Sequence, residues 1–289
     1  MAAGAEPLTT ETAPRYAEQL DRAAEFFRER DSYEGVLARR VFGEPTAYDR
    51  ELADHLIRER RRRSRMDGSI AGSLLLTARA LWEIMELGAD REHAGVVRLS
   101  GYLLSQQDLP GRWSEEGTAG DGFFAPAPRR QPIAPLVLRS GTVFEGEMDA
   151  RFVASCLALR GVLRAGHEDR PPVRAHLERL LRLRLNDPRL AFVVLGAIGL
   201  APPPYLARVG QLLDETARGQ RSDGTWPGVT VFHAVELLMS VPNPQARALV
   251  ARAAPHIASR QTASGAFDPS DNQALALIAV RALEVGRGG

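Results

Sequence analysis

The stretch Gln220-Arg-Ser-Asp-Gly-Thr-Trp226, followed by Thr230-Val-Phe-His-Ala-Val-Glu-Leu-Leu238, decides how this chain reads. A glycine turn closes one apolar helix, an aromatic follows it, and a second helix opens. Turns of the same make recur at Met66-Asp67-Gly68-Ser69, Pro110-Gly111-Arg112-Trp113 and Ser264-Gly265-Ala266-Phe267. In three of the four a glutamine stands four residues before the glycine, at Gln107, Gln220 and Gln261. The first turn departs, with Ser64 in the glutamine position and Ile70 in the aromatic one. Gly68 to Gly111 spans 43 residues, and Gly224 to Gly265 spans 41. A fixed period of that size marks a stacked array of helix pairs.

The gap from Gly111 to Gly224 is 113 residues, too long for two clean periods. Residues 114–146 are rich in Gly, Pro and acidic side chains and have little helical periodicity, so they read as an inserted loop. Without that insertion two periods fit, and a degenerate turn falls at Leu185-Asn186-Asp187-Pro188. Apolar residues on both sides of each turn fall three and four apart, as in Leu75, Ala78, Leu81 and Ile84, or Phe232, Val235, Leu238 and Met239. This predicts ten or eleven helices and no alternating strand. The expected organisation is an N-terminal tail, residues 1–14, followed by a single repeat domain over residues 15–289. The tail is Ala-, Thr- and Pro-rich and is expected to be disordered.

The glutamine–glycine–aromatic phrase resembles the repeat of squalene and hopene cyclases, and the chain is similar to the terpenoid cyclase and protein prenyltransferase superfamily over roughly residues 50 to 286. The resemblance implies an all-α fold, an α/α toroid (a closed barrel or an open horseshoe) of five to six helix pairs. Gly68, Gly111, Gly224 and Gly265, with Trp113, Trp226 and Phe267, would be its structural turns, each aromatic wedging its turn against a neighbouring helix pair.

Composition narrows the function classes. The formal net charge is +1, so no global field recruits nucleic acid. All 37 basic residues are arginine, a bias that a GC-rich bacterial genome produces by itself. One cysteine, Cys156, excludes an internal disulfide framework and suits a reducing cytoplasm. The longest run free of charged or polar residues, Leu190 to Pro204, is shorter than the ~20 residues a membrane span needs. No secretory signal opens the chain; a cytoplasmic protein is expected, with peripheral membrane contact left open. The run Arg58-Glu-Arg-Arg-Arg-Arg-Ser-Arg65 could meet phosphates, but 13 carboxylates accompany 13 arginines over residues 1–65, and a solvated helix end is the favoured reading.

The candidate site follows from where inner helices begin. Asp149, Arg151, Asp187, Arg189, Phe232 and His233 stand at successive inner-helix starts, and in the resembled toroids this end lines the mouth of the central cavity. Helix N-termini and two arginines there would suit an anionic headgroup such as a diphosphate, with apolar faces below for its tail. The plain alternative is that Asp149 and Asp187 cap helices and pair with the arginines beside them. Prenyltransferases carry a zinc site built on an Asp-x-Cys and a histidine phrase; Asp187 and Phe232-His233 match two parts. Arg189 takes the cysteine position, and a guanidinium cannot ligate zinc. No metal and no cofactor are expected. Cyclases of the second class protonate an alkene with Asp-x-Asp-Asp, which is absent; Asp268-Pro-Ser-Asp271 is the nearest arrangement. An Asp-Asp-x-x-Asp box is absent too.

No catalytic residue is therefore assigned, and whether the chain is an enzyme stays open. The resemblance implies a toroid holding a hydrophobic, isoprenoid-like or prenyl diphosphate-like small molecule. The alternatives are a non-catalytic interaction or scaffold module, or one subunit of a hetero-oligomeric transferase with a protein partner.

Overall fold

The computed structural model describes residues 15–43, 45–106 and 132–288. The expected tail, Gln107, Gly111, Trp113 and residues 114–131 of the insertion lie outside them. Among the described residues are twelve α-helices: α1 (Ala17–Phe27), α2 (Tyr33–Phe42), α3 (Ala47–Arg63), α4 (Leu74–Leu87), α5 (Ala94–Ser105), α6 (Glu147–Arg164), α7 (Pro171–Arg182), α8 (Pro188–Ile198), α9 (Leu206–Gly219), α10 (Val231–Leu238), α11 (Pro244–Ala258) and α12 (Gln273–Arg287). One hairpin interrupts them, β1 (Leu136–Val137) paired antiparallel with β2 (Val143–Phe144). The sequence reading missed one or two helices and this hairpin.

The even-numbered helices form a closed inner ring. α2 packs on α4, α4 on α6, α6 on α8, α8 on α10, α10 on α12, and α12 returns to α2. The odd-numbered helices surround them, each against inner neighbours. The fold is thus an all-α toroid of six helix pairs. Sequence explains the division. Inner α8 reads Pro-Arg-Leu-Ala-Phe-Val-Val-Leu-Gly-Ala-Ile and is apolar almost all round, as a helix flanked on every side must be. Outer α9 buries only Val209 and Leu213, on one stripe, and its other residues are exposed or partly exposed.

Caps set the helix starts. The Ser32, Ser73 and Thr230 hydroxyls accept from first-turn amides, and Thr46 with Asp49 forms a reciprocal capping box. Pro171, Pro188 and Pro244 occupy the first helical turn, where their missing N–H costs nothing.

The three described glycine turns share one backbone geometry. Arg65 N donates to Ser69 O, Arg221 N to Thr225 O and Thr262 N to Ala266 O, at 2.8, 2.8 and 2.9 Å. Gly224 and Gly265 have φ of 83° and 86°, and a Cβ on either would lie 2.3 Å from a carbonyl oxygen of the next outer helix, that of Arg252 or Arg22. Only glycine fits there. The glutamines bind turn to helix: Gln220 Nε2 donates to Gly224 O and Leu249 O, and Gln261 Nε2 to Gly265 O and Gln19 O. Trp226 is buried, donates from Nε1 to Thr216 O at 2.9 Å, and meets the Phe192 ring edge-on at 5.4 Å. Phe267 is fully buried.

Candidate functional site

Residues 132–144 cross the end of the ring where inner helices begin, and they bond to five of them. Ile133 and Ala134 amides donate to the Glu147 carboxylate of α6. Arg79 of α4 donates to Val137 O, and Arg139 pairs with Glu34 of α2 at 2.8 Å. Arg189 of α8 donates to Val143 O, and Thr142 meets Thr230 at the start of α10. Ser140 Oγ lies 3.4 Å from His233 Nδ1. The described part of the inserted loop is therefore a plug.

The sequence-selected residues belong to this plugged end. Asp187 caps α8 and forms a 2.7 Å ion pair with Arg189, whose hydrogen bonds hold the Asp187 carboxyl below the usual carboxylate range. The same bonds raise Arg189, and its guanidinium lies 5.1 Å over the Phe144 ring. His233 is fully buried; its Nε2 donates to Arg189 O at 3.0 Å, and burial pushes its pKa down, so the ring is neutral. Phe232 is buried, with Arg260 over its ring at 5.8 Å. Arg151 is buried and pairs with Glu147 at 2.5 Å. Asp149 does not cap α6: the helix starts earlier, Gly146 is its N-cap, and Asp149 is a half-buried first-turn residue. Arg189 and His233 thus meet the hairpin, with Asp187 bound to Arg189; Phe232 is beside His233 on α10, and Asp149 and Arg151 sit on α6. Among the described residues no three His, Cys, Asp or Glu side chains gather as a metal-ligand set. Of the arginine run, Arg60 pairs with Glu83 of α4, and Arg63 with Glu59.

Behind the plug lies a cavity of about 280 Å³. Five inner helices, α2, α4, α6, α10 and α12, contribute with Leu200 of the turn after α8, and the lining runs from Leu138 and Arg139 on the hairpin loop to Arg164 at the end of α6 and to Leu200 and Ser240 just beyond α8 and α10. None of the six sequence-selected residues lines it. The expected apolar interior is instead mixed. Ala78, Leu157, Leu200 and Leu277 provide apolar wall, and five arginines with three glutamates provide charge. Most of that charge is matched. Arg281 pairs with Glu86 at 2.9 Å, Tyr33 donates to the same carboxylate, and Glu83 is held by Arg60. Burial and the Glu86 charge raise the Tyr33 hydroxyl; Glu86 itself stays low because Arg281 and Tyr33 outweigh its own burial. Glu236 is different: burial pushes its pKa up, with Arg160 and Arg139 only partly opposing.

Sequence reasoning missed every polar residue of this lining. Arg160 and Arg164 on α6, or Glu83 and Glu86 on α4, have the spacing of a solvated helix face. On an inner helix that face looks into the cavity instead. The available signal was Glu236 inside Val231-Phe-His-Ala-Val-Glu-Leu-Leu238, one carboxylate in an otherwise apolar inner helix.

No protein-family model matches the sequence, and no curated protein does. Solved structures do. One is a variant of the type II terpene cyclase MstE from Scytonema in complex with geranylgeranyl dihydroxybenzoate, its substrate. It is 12% identical, with a TM-score of 0.62 over 94% of this chain and 97% of that one. A second variant, bound to the product merosterolic acid A, gives 0.61 at 12% identity over the same shares. Apo MstE gives 0.56 at 13% identity over 93% of this chain and 97% of its own. This likeness is one of fold. Among the described residues no helix is long and apolar enough to cross a membrane.

Proposed function

We propose that this toroid holds an isoprenoid-like small molecule in its central cavity. The observation that carries the reading is a cavity walled by five inner helices and the turn after α8, and closed at one end by the 132–144 plug. Its volume of about 280 Å³ lies just below the ~300–1,000 Å³ typical of small-molecule sites. The fold likeness supports the ligand class, since MstE is solved with isoprenoid-derived substrate and product. We read the glycine turns as copies of the squalene–hopene cyclase repeat, within one domain over residues 15–289 that the 114–146 segment interrupts. The single cysteine and the arginine-only basic set fit a cytoplasmic, bacterial protein.

Binding without the class II cyclisation chemistry is the favoured form of this function, because the sequence has no Asp-x-Asp-Asp acid and no Asp-Asp-x-x-Asp box. Asp187, Arg189 and His233 then act as the floor under the plug, and neither they nor Phe232 are ligand contacts. Isothermal titration with farnesol, farnesoate and farnesyl diphosphate tests the proposal. Saturable one-to-one binding of at least one of them is expected, lost in Leu157→Trp, which fills the cavity from the α6 wall. No saturable binding of any of the three, or binding that survives Leu157→Trp, would show that the cavity is not an isoprenoid site.

A further inference from the structure

We propose that the cavity ligand carries an anion, a carboxylate or phosphate, and that Arg160 and Arg164 of α6 receive it. Arg160 lines the cavity, is 7% exposed, and has its guanidinium carbon 3.6 Å from the centroid of the Trp82 ring. Arg164, one turn later, lies 4.3 Å from the same centroid. Neither forms an ion pair with a described residue, and Arg160 Nε is a buried donor without a hydrogen-bond partner. Burial pulls Arg160 down to about 10, with the Arg164 charge acting in the same direction and Glu236 and Glu86 against it.

A buried guanidinium beside a half-buried one is costly unless an opposite charge completes them. Among the described residues no carboxylate pairs with either arginine. Glu86 is engaged by Arg281 and Tyr33, Glu83 by Arg60, and Arg139 is matched by Glu34. Glu236 forms no ion pair with either arginine, and burial raises its carboxyl. A guanidinium stacked on an indole ring keeps its in-plane N–H edge free, and that edge matches the two oxygens of a carboxylate or phosphate. The apolar wall of Ala78, Leu157 and Leu277 leaves room for an uncharged remainder.

The inference rests on the cavity being a ligand site and narrows what enters it. Isothermal titration of the full chain with farnesol, farnesoate, farnesyl diphosphate, benzoate and inorganic pyrophosphate tests it. At least one anionic isoprenoid should bind about tenfold or more tighter than farnesol. Preference for farnesoate marks a carboxylate site, and preference for the diphosphate a phosphate site. Arg164→Gln and Arg160→Gln should each remove most of that preference while farnesol binding stays within about twofold. The ligand-free melting temperature of Arg160→Gln should equal or exceed that of the parent, since a structural arginine would lower it. Should Arg160→Gln fail to fold, the half-buried Arg164→Gln decides. If only benzoate or pyrophosphate binds, and in an Arg160- or Arg164-dependent way, the anion site stands and the isoprenoid reading falls. Equal affinity for alcohol and anions, an anion preference that survives substitution, or no anion binding at all overturns the inference.

Discussion

Glu236 is the residue whose surroundings say most about how the interior is held. It is the one acidic side chain of α10, and burial raises its pKa against the opposing charges of Arg160, Arg139 and Arg281 and with the reinforcing charge of Glu86. A carboxyl raised on folding keeps its proton in the native state where the unfolded chain has lost it. Stability therefore falls as pH rises from the ordinary carboxylate value through the folded value, and the penalty is complete above it. Glu236→Gln should melt higher than the parent at about pH 7.5, and the two should converge near about pH 4. A gain that persists undiminished at the acidic end would mean that shape, not charge, is responsible. At this scale the sequence was least informative. The arginines and glutamates of the cavity have the spacing of an exposed helix face, and nothing local distinguishes a face turned to water from one turned to an internal cavity. His233 stood out because it stands at an inner-helix start and matches the histidine phrase of the resembled zinc site, yet it bonds the plug.

Among the elements, the plug of residues 132–144 was the hardest to foresee and is the one that shapes the site. Its strands are two residues long, too short for an alternating pattern, and its order comes from bonds to five different helices. Ser140, Thr142 and Val143 find partners more than forty residues away in sequence, so no local reading exposes them. Glu147 is its anchor on α6. Burial works against the ionised carboxylate, but the Ala134 and Ile133 amides and Arg151 outweigh it and hold its pKa low. The stabilisation is present above the ordinary carboxylate value and is lost as pH falls through the lower folded value. Charge-assisted hydrogen bonds of this kind contribute about 1.5–3 kcal/mol each. Glu147→Ala should speed amide exchange across residues 133–144 at neutral pH while α8 and α10 stay protected. Equal loss of protection in those two helices would make Glu147 a pillar of the ring instead of an anchor for the plug. The helices themselves were legible, because caps such as Ser73 and Thr230 and the three-and-four apolar spacing act locally. Asp149 misled because its spacing from Arg151 mimics Asp187 and Arg189, whereas the plug starts α6 earlier.

For the whole molecule, the decisive property is closure. The period of the glycine turns revealed stacked pairs but left barrel and horseshoe equally open, because it fixes neighbours and not how the ends meet. The ends meet through the last turn. Gly265 packs against Arg22 O of α1, Gln261 Nε2 donates to Gln19 O at 2.8 Å, and Ser32 Oγ donates to Gln273 Oε1 at 2.6 Å. In an open repeat array each end frays independently, and damage at one end stays there. A closed ring shares the damage between both ends of the chain. Gly265→Ala places a Cβ 2.3 Å from the Arg22 carbonyl oxygen in a left-handed conformation whose backbone cost alone is roughly 1–2 kcal/mol. The seam must part or the turn must refold. We therefore expect a lower melting temperature and faster amide exchange in α1 and α2 as well as in α11 and α12, although the first pair is more than two hundred residues away in sequence. Gly43→Ala, where a Cβ meets nothing within 4 Å, is the matched control and should leave both pairs protected. Exchange that rises in α11 and α12 alone would show that the seam contributes little, and that the molecule behaves as a horseshoe whose ends merely touch.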